Sequence, residues 1–172
     1  MAERVRTREA EPQAQQADTY EASMRQARER EERAAAGRVV IHASDVPLRH
    51  YRQGLAAYYL HPTRTENAVT DWKIIWHEIR THSGRHVHQG GLAIYVVAGK
   101  GYTLVDGKRV DWEAGDMIVL PIKPGGVEHQ HFNLNDGEPA IWVALIYHPW
   151  MEIAANVLEQ KEASPTYEAV SG

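Results

Sequence analysis

The sequence predicts an all-β domain of the small barrel or jelly-roll kind, with helical extensions at its two ends. Three observations carry that expectation. From Val39 onward, short apolar and β-branched runs alternate with turn residues at close spacing. Among the turns is Asp106-Gly107, which suits a two-residue hairpin because both central positions of such a turn take φ > 0. Finally, neither an internal repeat nor a second series of strands follows, so one β domain accounts for the whole pattern.

Taken in order, residues 1–37 are rich in Glu, Arg, Gln and Ala, which are good helix formers, and Gly37 is a natural stop. Their apolar positions make no continuous stripe. They are expected to form a polar helix or a flexible arm that is a solvated extension, with subunit packing as its use if it binds at all. The β domain is expected over residues 38–149. WKIIWHEI at 72–79 and LAIYVVA at 92–98 read as strands, and 102–105 and 109–112 flank the Asp106-Gly107 turn. Residues 116–120, 127–134 and 140–147 complete the set, separated by Gly115-Asp116 and by the loop Pro124-Gly125-Gly126. In the terminal segment 150–172, WMEIAANVLEQ reads as a short helix and the last residues as a loose tail.

Composition excludes several function classes. The 172 residues are 43% hydrophobic and 24% charged, the range of a soluble globular chain. A net charge of −4 argues against a non-specific nucleic-acid binder, which needs a basic surface. Without cysteine there is no disulfide, no zinc–thiolate site and no thiol chemistry. No apolar stretch is long enough to span a bilayer, and the N-terminus has no secretory apolar core, so the expected home is the cytoplasm. Histidine stands out: there are ten, most of them between His77 and His148. Imidazole is the commonest metal ligand.

In SGRHVHQGGLAIYVVAGKG, His86 and His88 are two residues apart, so on a strand they project to the same face. VEHQHFN does the same with His129, His131 and Asn133. A barrel that aligns the two segments gathers three or four imidazoles at one interior point. With Gly99, Gly115, Pro121, His129 and Asn133 in place, these paired segments resemble the two motifs of the cupin superfamily over roughly residues 70–148. The resemblance implies a jelly-roll β-barrel with a metal site at its centre. The glutamate of the first motif is replaced by Leu92, which cannot ligate. That three-histidine form resembles the gentisate and 1-hydroxy-2-naphthoate dioxygenases. It implies His86, His88 and His129 as metal ligands and His131 as a catalytic residue facing substrate or oxygen.

Neutral imidazoles suit several metals, so Fe(II) is expected from the resemblance, with Zn, Mn, Ni or Cu as alternatives. Three ligands leave positions open for a substrate and dioxygen, unlike a closed structural site. The implied partners are a small aromatic substrate, dioxygen and a second copy of the chain. The implied reaction is oxidative cleavage of a carbon–carbon bond; Lewis-acid isomerase, lyase or decarboxylase chemistry and simple ligand binding are the alternatives. Arg85, Leu92, Tyr102 and Trp142 are the candidate substrate-binding residues. Trp72, Trp76, Tyr95 and Tyr147 are further aromatic walls, and Lys123 is a second candidate partner for an anionic group. Glu78 would restore a carboxylate if it pointed inward. No basic residue stands near Ile94, which leaves phenols without a carboxylate as open as gentisate.

Overall fold

The structure, a computed structural model, describes residues 18–154 and 158–167. Period-two alternation sorts the chain into two antiparallel sheets, each with one face turned to the other. The larger runs in the order β1 (Arg49–Tyr51), β2 (Gly54–Leu60), β3 (Trp72–Ile79), β10 (Ala140–Tyr147), β5 (Leu92–Ala98), β8 (Met117–Leu120). The smaller runs β11 (Glu159–Glu162), β4 (Arg85–His88), β9 (Val127–Asn133), β6 (Lys100–Val105), β7 (Lys108–Glu113). The result is a jelly-roll sandwich of two sheets rather than one closed barrel.

β3, β5 and β10 have the bounds expected from their apolar runs. On β10 the inward residues Ala140, Trp142, Ala144 and Ile146 are buried while their neighbours are less so. Leu92, Ile94 and Val96 of β5, Ile118 and Leu120 of β8, Trp112 of β7 and Val127 of β9 join them in the core. The outer face of the larger sheet is also apolar. Tyr95, Val97, Met117, Val119 and Tyr147 are exposed there.

Two elements depart from the sequence reading. β2, GLAAYYL, carries two alanines, which favour strands poorly, and gave no clear signal. At the C-terminal end, the helix α2 is only His148–Ile153, with Pro149 in its first turn. Part of the expected helix, residues 155–157, lies outside the described residues, and Glu159-Gln160 are strand. EQKE has no apolar pattern of its own; it is a strand because β4 offers it an edge, with Glu159 opposite Val87 and Gln160 opposite His86. The N-terminal helix α1 spans Thr19–Ala36. Its start is capped by Asp18, whose carboxylate accepts from the N–H groups of Tyr20 and Glu21, and none of its residues is buried. No helix among the described residues is long and apolar enough to cross a membrane.

Two glycine positions are demanded by geometry. In the β6–β7 hairpin, Asp106 and Gly107 both take positive φ, 49° and 77°, as the two-residue turn requires. On β6, Gly101 sits opposite Trp112. A Cβ there would lie 2.1 Å from the Phe132 carbonyl oxygen and 2.4 Å from the Trp112 ring. Glycine is what lets the indole lie flat across β6. Gly101→Ala is therefore expected to destabilise the fold by about 1–3 kcal/mol, the range for forcing extra volume into a packed core. Urea unfolding measures it; an unchanged midpoint would refute the packing account.

Candidate metal centre

β4 and β9 are antiparallel neighbours, and their register sets His86 directly opposite His129. His88 follows two residues along the same face. The three rings lie against one another, with centroids 4.3 Å apart for His86–His129, 4.6 Å for His88–His129 and 5.2 Å for His86–His88. All three are buried, and their candidate ligand nitrogens lie within 4.8 Å of one another.

The backbone fixes which nitrogen is available. Nδ1 of His86 bonds the Gly84 carbonyl at 3.3 Å, Nδ1 of His88 the Gln89 carbonyl at 2.6 Å, and Nδ1 of His129 the Val127 carbonyl at 3.1 Å. A carbonyl oxygen only accepts, so each Nδ1 carries the hydrogen and each Nε2 keeps a free lone pair. Burial holds the rings neutral. It is the main cause that lowers His86 to about 3, helped by His88 and His131, and it also lowers His88. His129 lies well below the ordinary histidine value, first through burial and then through His86 and His88. Three neutral imidazoles, oriented through Nδ1 and converging through Nε2, fit a divalent transition metal.

His131 is the opposite tautomer. Its Nδ1 lies 2.8 Å from Oγ1 of Thr103, the residue facing it on β6, and that oxygen accepts from Nε1–H of Trp112 at 2.9 Å. Thr103 is fully buried, and of its two side-chain partners among the described residues only His131 Nδ1 can accept its hydroxyl proton, because the Trp112 Nε1–H only donates. The proton of His131 therefore resides on Nε2. Three histidines present lone pairs; the fourth presents an N–H. Burial, then His129 and His77, keep His131 uncharged.

These residues wall a cavity of about 170 Å³ between the sheets. Ala56 and Ala144 face into it where larger side chains would fill it. Leu92 and Trp142 also line it, and Trp142 stacks on His77 with centroids 4.4 Å apart and rings within 5° of parallel. The indole Nε1 of Trp142 and Nδ1 of His77 are buried and have no protein partner among the described residues. Burial lowers His77 to about 3, so it too is neutral.

Other candidates lie elsewhere. Arg85 points away from the cavity to Glu128 and Glu162, at 3.5 and 3.7 Å. Tyr102 stacks on Phe132, with Arg109 4.0 Å above its ring, and is not part of the wall. Lys123 is paired with Asp106. Glu78 takes the indole N–H of Trp76 at 3.3 Å and neighbours Ile141 on the outer face, so it adds no carboxylate to the site. The sequence reading passed over Lys73, which does line the cavity. Its signal was present: within WKIIWHEI it shares the parity of His77, hence the same face.

Residues 76–146 match the model of the family described as Cupin domain. Over that stretch the chain is similar to cupin domains. Salicylate 1,2-dioxygenase from Pseudoaminobacter salicylatoxidans, solved as an adduct with gentisate, has a similar fold at 18% identity and a TM-score of 0.53. The likeness covers 80% of this chain but 36% of that one, so this chain spans little more than a third of the dioxygenase. A Cupin 2 conserved barrel domain protein from Salinispora arenicola CNS-205 is similar over 70% of this chain and 97% of its own, at 24% identity and a TM-score of 0.51. At these identities the likeness establishes the fold. Among curated proteins no sequence match is found.

If the three Nε2 atoms hold the ion, His129→Ala removes one of three ligands and the protein is expected to lose stoichiometric metal. Arg85→Ala, outside the cavity, is expected to keep it. Metal analysis after dialysis decides; full occupancy in His129→Ala would overturn the assignment.

Proposed function

We propose that this protein is a non-haem Fe(II) dioxygenase that cleaves a carbon–carbon bond of a small phenolic substrate with a single aromatic ring. The observation that carries this reading is the set of three convergent, neutral Nε2 donors opening on a largely apolar cavity, with no carboxylate beside them among the described residues. A cavity of about 170 Å³ is close in size to the ~150 Å³ cavity that admits one benzene ring. It suits one ring better than a fused pair.

A ferrous ion held by His86, His88 and His129 would supply open coordination positions at which electrons of the substrate, which is the reductant, could pass to dioxygen. The chain's own part is orientation and protonation. Leu92, Ile94 and Trp142 offer flat apolar walls that fix the ring and exclude water. Nε2–H of His131 offers a hydrogen bond to an oxygen of substrate or dioxygen. The Thr103 hydroxyl, held by Trp112, keeps that proton on Nε2. The fold likeness to salicylate 1,2-dioxygenase supports the same reaction class.

Oxygen consumption by anaerobically Fe(II)-loaded protein is the direct test, against gentisate, salicylate, catechols, hydroquinones and hydroxyacetophenones. Uptake with one substrate class and a ring-opened product is expected. No uptake across the panel, with one iron per chain verified, would move the reading to Lewis-acid chemistry or ligand binding.

The same reading includes a homo-oligomer. Tyr95, Val97, Met117 and Val119 expose an apolar outer sheet face, where a one-sided antiparallel sheet carries polar residues. A dimer in sedimentation is expected, and Met117→Lys with Val119→Lys should shift it to monomer. A monomeric parent protein would refute the pairing.

A further inference from the structure

The cavity carries a charge that the three-histidine site does not explain. Lys73 lines it from β3, two strand positions beyond Ile75 and four beyond His77 on the same inward face. It is half-buried and makes no hydrogen bond or ion pair among the described residues. Its nearest acidic influence, Glu152 on α2, is well exposed and forms its contact with His148 instead. Of the other titratable groups at this end, Tyr58 is held above its ordinary value by burial and then Tyr51, and His61 below its own by burial and then by Lys73 itself and His148. His61 Nδ1 also accepts from the Thr63 N–H. Lys73 is therefore the cation of the cavity.

No Asp or Glu among the described residues lines this cavity. Three neutral ligands leave a bound divalent ion its full charge, and Leu92 stands where a charge-compensating carboxylate would be expected. The wall thus presents two positive centres, the ion and the ammonium, with apolar surface between them. An unpaired cation facing an apolar cavity is unfavourable unless the occupant neutralises it.

Position sets which part of the occupant meets Lys73. His131 packs on Trp142, which stacks on His77, so the histidine end of the cavity lies at the level of His77 on β3. Lys73 enters roughly 13 Å further along the strand, at about 3.3 Å per residue, beside Ile146 of β10. It lines the same cavity as His88, whose value is lowered first by burial and also by the lysine charge. The space between suits one ring.

Resting on the dioxygenase reading above, we infer that Lys73 is a specificity-determining residue: the substrate is a single-ring aromatic acid whose carboxylate pairs with Lys73 across the ring from the oxygens that face the three histidines. This answers the sequence expectation that an anionic group would meet Arg85 or Lys123, both of which are already paired with carboxylates. It also turns the lack of a basic residue near Ile94 into a change of place for the cation rather than its loss.

The test is equilibrium binding to zinc-loaded protein, followed by tryptophan fluorescence, with a matched pair of probes. The probes are 3,4-dihydroxybenzoate and its neutral amide, 3,4-dihydroxybenzamide. The wild type is expected to bind the acid about tenfold tighter than the amide, the scale of one charge-assisted contact. Lys73→Met should abolish that preference while barely changing the amide, and Lys73→Arg should keep it, each with one zinc per chain. Equal affinity for acid and amide in the wild type would overturn the proposal. So would a parallel loss of both probes in Lys73→Met, or no binding of either. Zinc supports no oxygen chemistry, so the two readings fail separately. An acid preference that depends on Lys73, without oxygen uptake in the iron form, would sink the dioxygenase alone. Oxygen uptake with neutral phenols and no acid preference would sink the role of Lys73 alone.

Discussion

Everything about the site depends on the antiparallel register of β4 on β9. With His86 facing His129, the third ring follows from strand geometry, because His88 is two residues along on the same side. A slip of one residue would turn His86 and His88 out of the sandwich and put Arg85 and Val87 inside. Three features pin the register. Val127 is fully buried at the start of β9, Gly126 lies too close to the His88 carbonyl for a side chain, and β11 pairs along the other edge of β4.

The same sheet also decides which histidines offer lone pairs. Three Nδ1 atoms are taken by backbone carbonyls within two residues of their own rings, a local constraint that comes with the strand. His131 escapes it, because the group facing it across β6 is a hydroxyl held by a buried indole. Four histidines on one face thus fall into two chemical kinds. The difference is made by Thr103, Trp112 and Gly101, none of which touches the three converging nitrogens.

The opposite sheet provides room and sorting. Alanines at 56 and 144 leave the space, Trp142 and Leu92 shape it, and Lys73 adds the charge. The arrangement is economical in carboxylates: those near the site, such as Glu78, Glu128 and Glu162, all face outward and pair there. No carboxylate among the described residues of the cavity walls would balance a bound divalent cation.

The sequence alone determined the strands whose alternation is strong, the Asp106-Gly107 turn, and the two histidine pairs, since parity on a strand is a local property. It also marked Leu92 as unable to ligate. Only the tertiary structure decided that Arg85 and Tyr102 stand outside the cavity and that Lys73 stands within it. Sequence proximity placed Arg85 beside His86, but neighbours on a strand point to opposite faces. Glu159–Glu162 became a strand through an edge supplied more than 70 residues earlier, and the proton on His131 was fixed by residues from two other strands. Such long-range pairings leave no periodic trace in the chain, so they become visible only when the sheets are assembled.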